Sequence, residues 1–176
     1  GNLSVSVKRV TDRSVNLYNS GVVQYYVIVE NISDQKQENV KVHTNLPNNL
    51  EVARLQLVTG LPKDEVNDDE INKPDSQNAN TPKQLDENQV EPQTVNSETI
   101  EYKDEINIGT LEPGENKVLS YDMVIKKTDN EKIEFSAIAQ DSTKKYLSNV
   151  WEDIINNFNI TMTMTSNTQD KYIKAG

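Results

Sequence analysis

The reactive stock of this 176-residue chain is one histidine, no cysteine, and 28 Asp+Glu against 18 Lys+Arg. His43 follows Val40 and Val42 in an alternating run, which puts it on the outward face of a strand as a solvated side chain and not as a catalytic base. The chain has no Gly-x-Ser-x-Gly elbow, no phosphate-cradling glycine loop and no His-Glu-x-x-His pair. Lacking Cys, it has no disulfide, no thiol nucleophile, no zinc ribbon and no iron–sulfur ligand, so stability must come from packing. The acidic pairs Asp64-Glu65, Asp86-Glu87 and Asp104-Glu105 fall in or beside loops. A polysaccharide-active enzyme would need two converging carboxylates, and no spacing in the chain places such a pair.

Two further chemistries have candidate residues in the chain. The stretch Asp64-Glu65-Val66-Asn67-Asp68-Asp69-Glu70 carries oxygen ligands suited to calcium. It lacks the glycine of a sharp calcium loop and reads as solvated negative charge, so no metal or cofactor is expected. Lys8 near the first strand and Asn149 near the last are the topologically sensible pair for a Lys–Asn amide cross-link. That reaction needs a buried, neutral amine, whereas Lys8 shares a polar face with Ser4 and Ser6.

These residues are held by an alternating pattern. Leu3, Val5 and Val7 interleave with Ser4, Ser6 and Lys8, and Val23, Tyr25, Val27 and Val29 share one face of the next run. Further strand-like runs follow at Leu50–Val58, Ile100–Ile108, Lys117–Ile125, Lys132–Ala139 and Lys145–Trp151. Turn signals separate them at Asn19-Ser20-Gly21, Pro47-Asn48-Asn49, Glu112-Pro113-Gly114 and Thr128-Asp129-Asn130. About eight short strands predict an all-β fold, an immunoglobulin-like two-sheet β-sandwich with a long acidic insertion. The single candidate helix is Asn149–Asn157, with a strand and linker as its alternative.

The insertion, residues 62–98, has four of the six prolines, no glycine, ten acidic residues and three lysines, and so carries seven of the ten net negative charges. Its six hydrophobic residues follow neither a helical nor a strand period, which predicts a solvated loop, either mobile or functional. Outside it the charge is close to neutral, and no basic cluster exceeds a pair such as Lys126-Lys127 or Lys144-Lys145. Nucleic acid and anionic membrane are therefore poor partners. No apolar run approaches the roughly 20 residues of a membrane span.

The end of the chain echoes its beginning. Asn159-Ile160-Thr161-Met162-Thr163-Met164 aligns with Asn2-Leu3-Ser4-Val5-Ser6-Val7, Thr168 with Thr11 and, after a two-residue deletion, Gly176 with Gly21. Residues 1–157 then form one unit, and 158–176 are the first strand of a following repeat or a linker.

The run Tyr18–Asn31, then Asn39–Val42, Leu46-Pro47-Asn48-Asn49-Leu50, Ile106–Glu115 and Ser148-Asn149-Val150 resembles the DUF-eleven conserved repeat of bacterial surface proteins. Two positions depart from that family's pattern. Thr44-Asn45 stands where Asp precedes Leu-Pro, and Asn49 stands where Gly is usual, a change that a left-handed Asn would absorb. The resemblance implies an immunoglobulin-like sandwich in an extracellular, cell-wall or envelope-attached protein, in tandem copies and without enzymatic chemistry. The expected role is a stalk spacer or adhesive repeat whose partners are neighbouring repeats. The alternative is an adhesin that binds an extracellular protein or glycan through loop 62–98.

Overall fold

The computed structural model describes residues 1–66 and 94–156. Ten strands and one helical turn follow one another: β1 (Leu3–Arg9), β2 (Val22–Asn31), β3 (Gln37–Asn45), β4 (Leu50–Thr59), α1 (Lys63–Val66), β5 (Asn96–Ile100), β6 (Ile106–Leu111), β7 (Asn116–Ile125), β8 (Lys132–Gln140), β9 (Lys145–Leu147) and β10 (Trp151–Ile154). They build two antiparallel sheets, one in the order β1-β2-β7-β4-β5 and one in the order β10-β8-β3-β6, with β9 also paired to β8. The frame β1-β2-β7-β4 facing β9/β10-β8-β3 is the strand order of an immunoglobulin-like sandwich, with β5 and β6 added at the opposite margin.

Alternation decides which side chains enter the space between the sheets. Leu3, Val5 and Val7 of β1 and Val23, Tyr25, Val27 and Val29 of β2 point inward and are buried, as do Val40 and Val42 of β3. On β4 the spacing changes, because Leu50 and Val52 are even-numbered while Leu55 and Leu57 are odd. A bulge between Val52 and Arg54 inserts one residue opposite β7, and that insertion returns all four to the same interior. At the centre Phe135 of β8 stacks on Tyr25 of β2, with ring centroids 4.7 Å apart, and meets Tyr121 of β7 edge-on at 5.8 Å.

Four expectations change. The run Ile100–Ile108 is two strands in different sheets: β5 pairs with β4, and after Glu101–Glu105 the chain crosses to pair β6 with β3. Alternation along a strand cannot report such a crossing, because both halves keep an inward face. The run Lys145–Trp151 is likewise divided into β9 and β10 at Ser148–Val150. Over Asn149–Asn157 the strand alternative holds in place of the helix: Trp151–Ile154 pair with β8, and residue 157 lies outside the described residues.

The fourth change concerns the acidic insertion, which is ordered at both ends. Asn96–Glu98 belong to β5, and α1 lays Val66 on the outer face of the first sheet. There Val66, Ile28, Val58 and Val118 form a second buried cluster, flanked by Tyr26 and Leu61. Lys63 Nζ pairs with Glu30 Oε2 at 2.9 Å and fixes the turn to β2. The close return of the chain explains Gly60, whose φ is +86° and where an added Cβ would collide with the Thr94 carbonyl oxygen. Residues 67–93, with most of the calcium-type stretch and of the expected adhesive loop, lie outside the described residues, as does the candidate repeat strand 158–176.

Candidate functional site

His43 stands exposed on β3, as alternation predicts, with Nδ1 3.0 Å from the carbonyl oxygen of Asp104. It borders a shallow groove of about 340 Å³ on the outer face of the second sheet, between Lys41, Asp104, Glu105, Ile138, Gln140 and Lys145. Lys41 and Glu105 are 3.8 Å apart there and largely solvated, a pairing of little energetic weight. Among the described residues no three His, Cys, Asp or Glu side chains gather as metal ligands.

The strongest polar organisation lies along the seam where β1, the margin of the first sheet, meets β9 and β10 of the second. The side chain of Asn149 reaches across that seam to the backbone of Val7: its Oδ1 accepts from Val7 N–H at 2.9 Å and its Nδ2 donates to Val7 C=O at 3.1 Å. In an antiparallel ladder both groups of one residue point to the same side. Val7 turns them away from its β2 partner Val27, and the amide of Asn149 takes the place of a missing neighbour strand. Lys8 points the other way, and its Nζ donates to the carbonyl of Glu65 in α1 at 3.2 Å. The fold therefore brings Asn149 to the residue before Lys8 and not to the Lys8 amine.

Two residues farther along β1, Arg9 donates from Nη1 to Asp153 Oδ1 of β10 at 3.0 Å, with both side chains almost fully enclosed. Asp153 Oδ2 also accepts from Tyr25 Oη at 2.6 Å and from Trp151 Nε1 at 3.1 Å. The other Arg9 donors bind the carbonyls of Thr11, Asp12 and Val15 and thereby shape the loop from β1 to β2. Arg13 from that loop lies 5.0 Å over the Trp151 ring. Burial, then the hydrogen bond to the Asp153 carboxylate, push the Tyr25 phenol far above its ordinary range. The sequence signal for this cluster was parity: Arg9 occupies the inward position after Leu3, Val5 and Val7 and must have a partner there.

A second polar knot sits where β1 begins. Asp141, which follows β8, accepts from the N–H groups of Thr143 at 2.8 Å and Lys144 at 2.7 Å, from Asn2 Nδ2 at 3.1 Å and from Tyr146 Oη at 2.8 Å. Burial alone would raise this carboxyl, but the backbone donors of Thr143 and Lys144, with Asn2 and Tyr146, outweigh it and hold it well below the usual carboxylate range. A depressed carboxyl stabilises the fold above its unfolded value near 3.9 and loses that contribution as pH falls through its folded value. Asp141→Ala is therefore expected to lower stability by about 2 kcal/mol at pH 7, a gap that narrows below about pH 4. Urea unfolding of both proteins at pH 7 and pH 3 checks this.

The Leu-Pro turn is held differently from the sequence expectation. Asn49 does not take a positive φ; among the described residues other than glycine, only Ser20 and Asn39 do. Instead Asn49 is buried, with Nδ2 donating to the carbonyl of Lys132 at 3.0 Å, so a side-chain bond between the sheets does the work expected of a backbone conformation. Thr44, two residues before Leu46-Pro47, is buried against Tyr121, their hydroxyls 2.6 Å apart.

No protein-family model matches the chain, and no curated protein matches it. Several solved structures are similar to it in part. The full-length major pilin SpaD from Corynebacterium diphtheriae has a TM-score of 0.49 at 9% identity, over 86% of this chain and 35% of that one. The major pilin subunit BcpA of Bacillus cereus has a TM-score of 0.48 at 12% identity, over 87% and 40%. A FixG-related protein from Vibrio parahaemolyticus has a TM-score of 0.43 at 15% identity, over 88% and 97%. The chain thus spans well under half the length of either pilin.

Proposed function

We propose that this chain is a non-catalytic spacer of a bacterial cell-surface protein, one unit of an extracellular stalk whose partners are neighbouring units. The carrying observation is the course of the chain. It enters the sandwich at Leu3, beside Asn31, and leaves at Ile154, beside Lys132. The cross-sandwich contacts fix these at opposite ends: Asn2 holds Asp141 past the last residue of β8, while Arg9 holds Asp153 near the exit. Units joined end to end would therefore extend and not fold back, each adding about 33 Å, the span of a ten-residue strand such as β2. The echo of Asn2–Val7 in Asn159–Met164 and the resemblance to the DUF-eleven repeat support the same reading.

The exit is also held. Leu17 and Ile155 form a parallel bridge, Asn156 N–H donates to the Leu17 carbonyl at 2.7 Å, and Ile155 N–H donates to the Glu131 carbonyl at 2.8 Å. Small-angle scattering from a protein with residues 1–157 in two tandem copies is expected to show a maximum dimension near twice that of one copy. A two-copy particle scarcely longer than the single unit would contradict the spacer. Antibody raised to the folded unit is expected to label intact cells of the organism that encodes it.

A further inference from the structure

We propose that the seam formed by Asn149 and Asp153 against β1 is a mechanical clamp that carries tension from the incoming to the outgoing strand; the inference rests on the spacer reading. In a stalk under load, β1 is pulled by its first residue toward one end of the sandwich and β10 by its last residue toward the other. Both strands run in the same direction along the long axis, because β1 starts beside the end of β8, where Asn2 meets Asp141, and finishes beside Asp153 of β10, which is antiparallel to β8. Tension therefore slides them past each other lengthwise. Bonds that cross such a seam are loaded together and must break together, unlike a hairpin peeled one pair at a time.

The two strands are unequal. β1 has seven register partners on β2, from Leu3↔Asn31 to Arg9↔Tyr25. β10 has four partners on β8, from Trp151↔Phe135 to Ile154↔Lys132, and is the weaker of the loaded strands. The direct ties from β1 reach this weak strand. Asn149, two residues ahead of β10, grips the Val7 backbone through two hydrogen bonds, and Asp153 within it binds Arg9 while also receiving Tyr25. The path from one end of the chain to the other thus runs through Val7–Asn149 and Arg9–Asp153 and bypasses most of the hydrophobic core. The ionic tie is enclosed, so water competes poorly for it, and charge-assisted bonds are the stronger kind. An asparagine at the break between β9 and β10 thereby has a purpose that strand formation alone does not give it.

The test is single-molecule stretching of the whole chain between handles at its two termini, comparing wild type, Asn149→Ala, Asp153→Asn and Thr44→Val. Thr44→Val removes a buried hydrogen bond between β3 and β7, both off the proposed load path. At a fixed load Asn149→Ala is expected to unfold roughly tenfold faster than wild type, with Asp153→Asn in the same direction. Thr44→Val is expected to stay within about twofold under load, although it too lowers equilibrium stability. Equal acceleration by Asn149→Ala and Thr44→Val, or none by Asn149→Ala, would overturn the clamp; if Asn149→Ala does not fold, Asp153→Asn decides by the same criterion. The spacer reading fails separately: a short two-copy particle in scattering would remove it, whatever the seam bears under load.

Discussion

Asp153→Ala is expected to destabilise the fold by about 3–5 kcal/mol, measured by urea unfolding at neutral pH. The carboxylate stands where three donors meet, from Arg9, Tyr25 and Trp151, and both members of its ion pair are nearly enclosed. Truncation leaves the Arg9 guanidinium short of its counter-charge and the Tyr25 hydroxyl without an acceptor, and an uncompensated buried charge costs far more than the pair contributes while intact. Asp153→Asn keeps the shape and one acceptor oxygen, so it is expected to cost less, about 1–2 kcal/mol. With total stability of roughly 5–15 kcal/mol for a domain of this size, the alanine variant would be marginal and the asparagine variant folded. A loss below about 1 kcal/mol for Asp153→Ala would mean that water replaces the carboxylate without penalty.

Phe135→Ala is expected to cost a similar amount, about 3–5 kcal/mol, through a different mechanism. Phe135 is fully buried on β8 and is the aromatic bridge between the sheets, stacked on Tyr25 and edge-on to Tyr121. Removing the ring leaves a cavity lined by the two tyrosines, and neither can fill it while keeping its own hydroxyl bond, to Asp153 in one case and Thr44 in the other. Phe135→Leu retains most of the volume and is expected to lose about 1–1.5 kcal/mol. Because Tyr25 touches both Phe135 and Asp153, the double variant is expected to lose less than the two single losses added together.

The same residues show what the sequence discloses and what it withholds. Alternation in Leu3–Val7 and Val23–Val29 was enough to set β1 and β2 with the correct inward face, and it left His43 outward as found. Pro113-Gly114 specified its turn, because Gly114 at φ +80° sits where only a residue without a side chain is at ease and Glu115 N–H closes on the Glu112 carbonyl. Sheet membership was not legible: nothing between Ile100 and Ile106 says that the chain leaves one sheet for the other. Nor was α1, whose apolar contribution is a single valine; Tyr26, Ile28 and Val118, outward by parity and yet hydrophobic, hint that the outer face is covered. Asn149 was marked by residue type for covalent chemistry with Lys8, and the fold gives it a hydrogen-bonding task one residue away. The Arg9–Asp153 pair was signalled on one side only, by a charged residue in an inward position, because its partner is separated from it by 144 residues.

The central claim, that the chain passes from one end of the sandwich to the other, is tested most directly by a distance between its two ends. Since the chain has no cysteine, one added ahead of Gly1 and one replacing Asn156 can carry spin labels without competition. Pulsed dipolar spectroscopy is expected to give a separation centred at about 30 Å or more, the length of the longer strands. A distribution centred below about 20 Å would place both ends of the chain together and contradict the account.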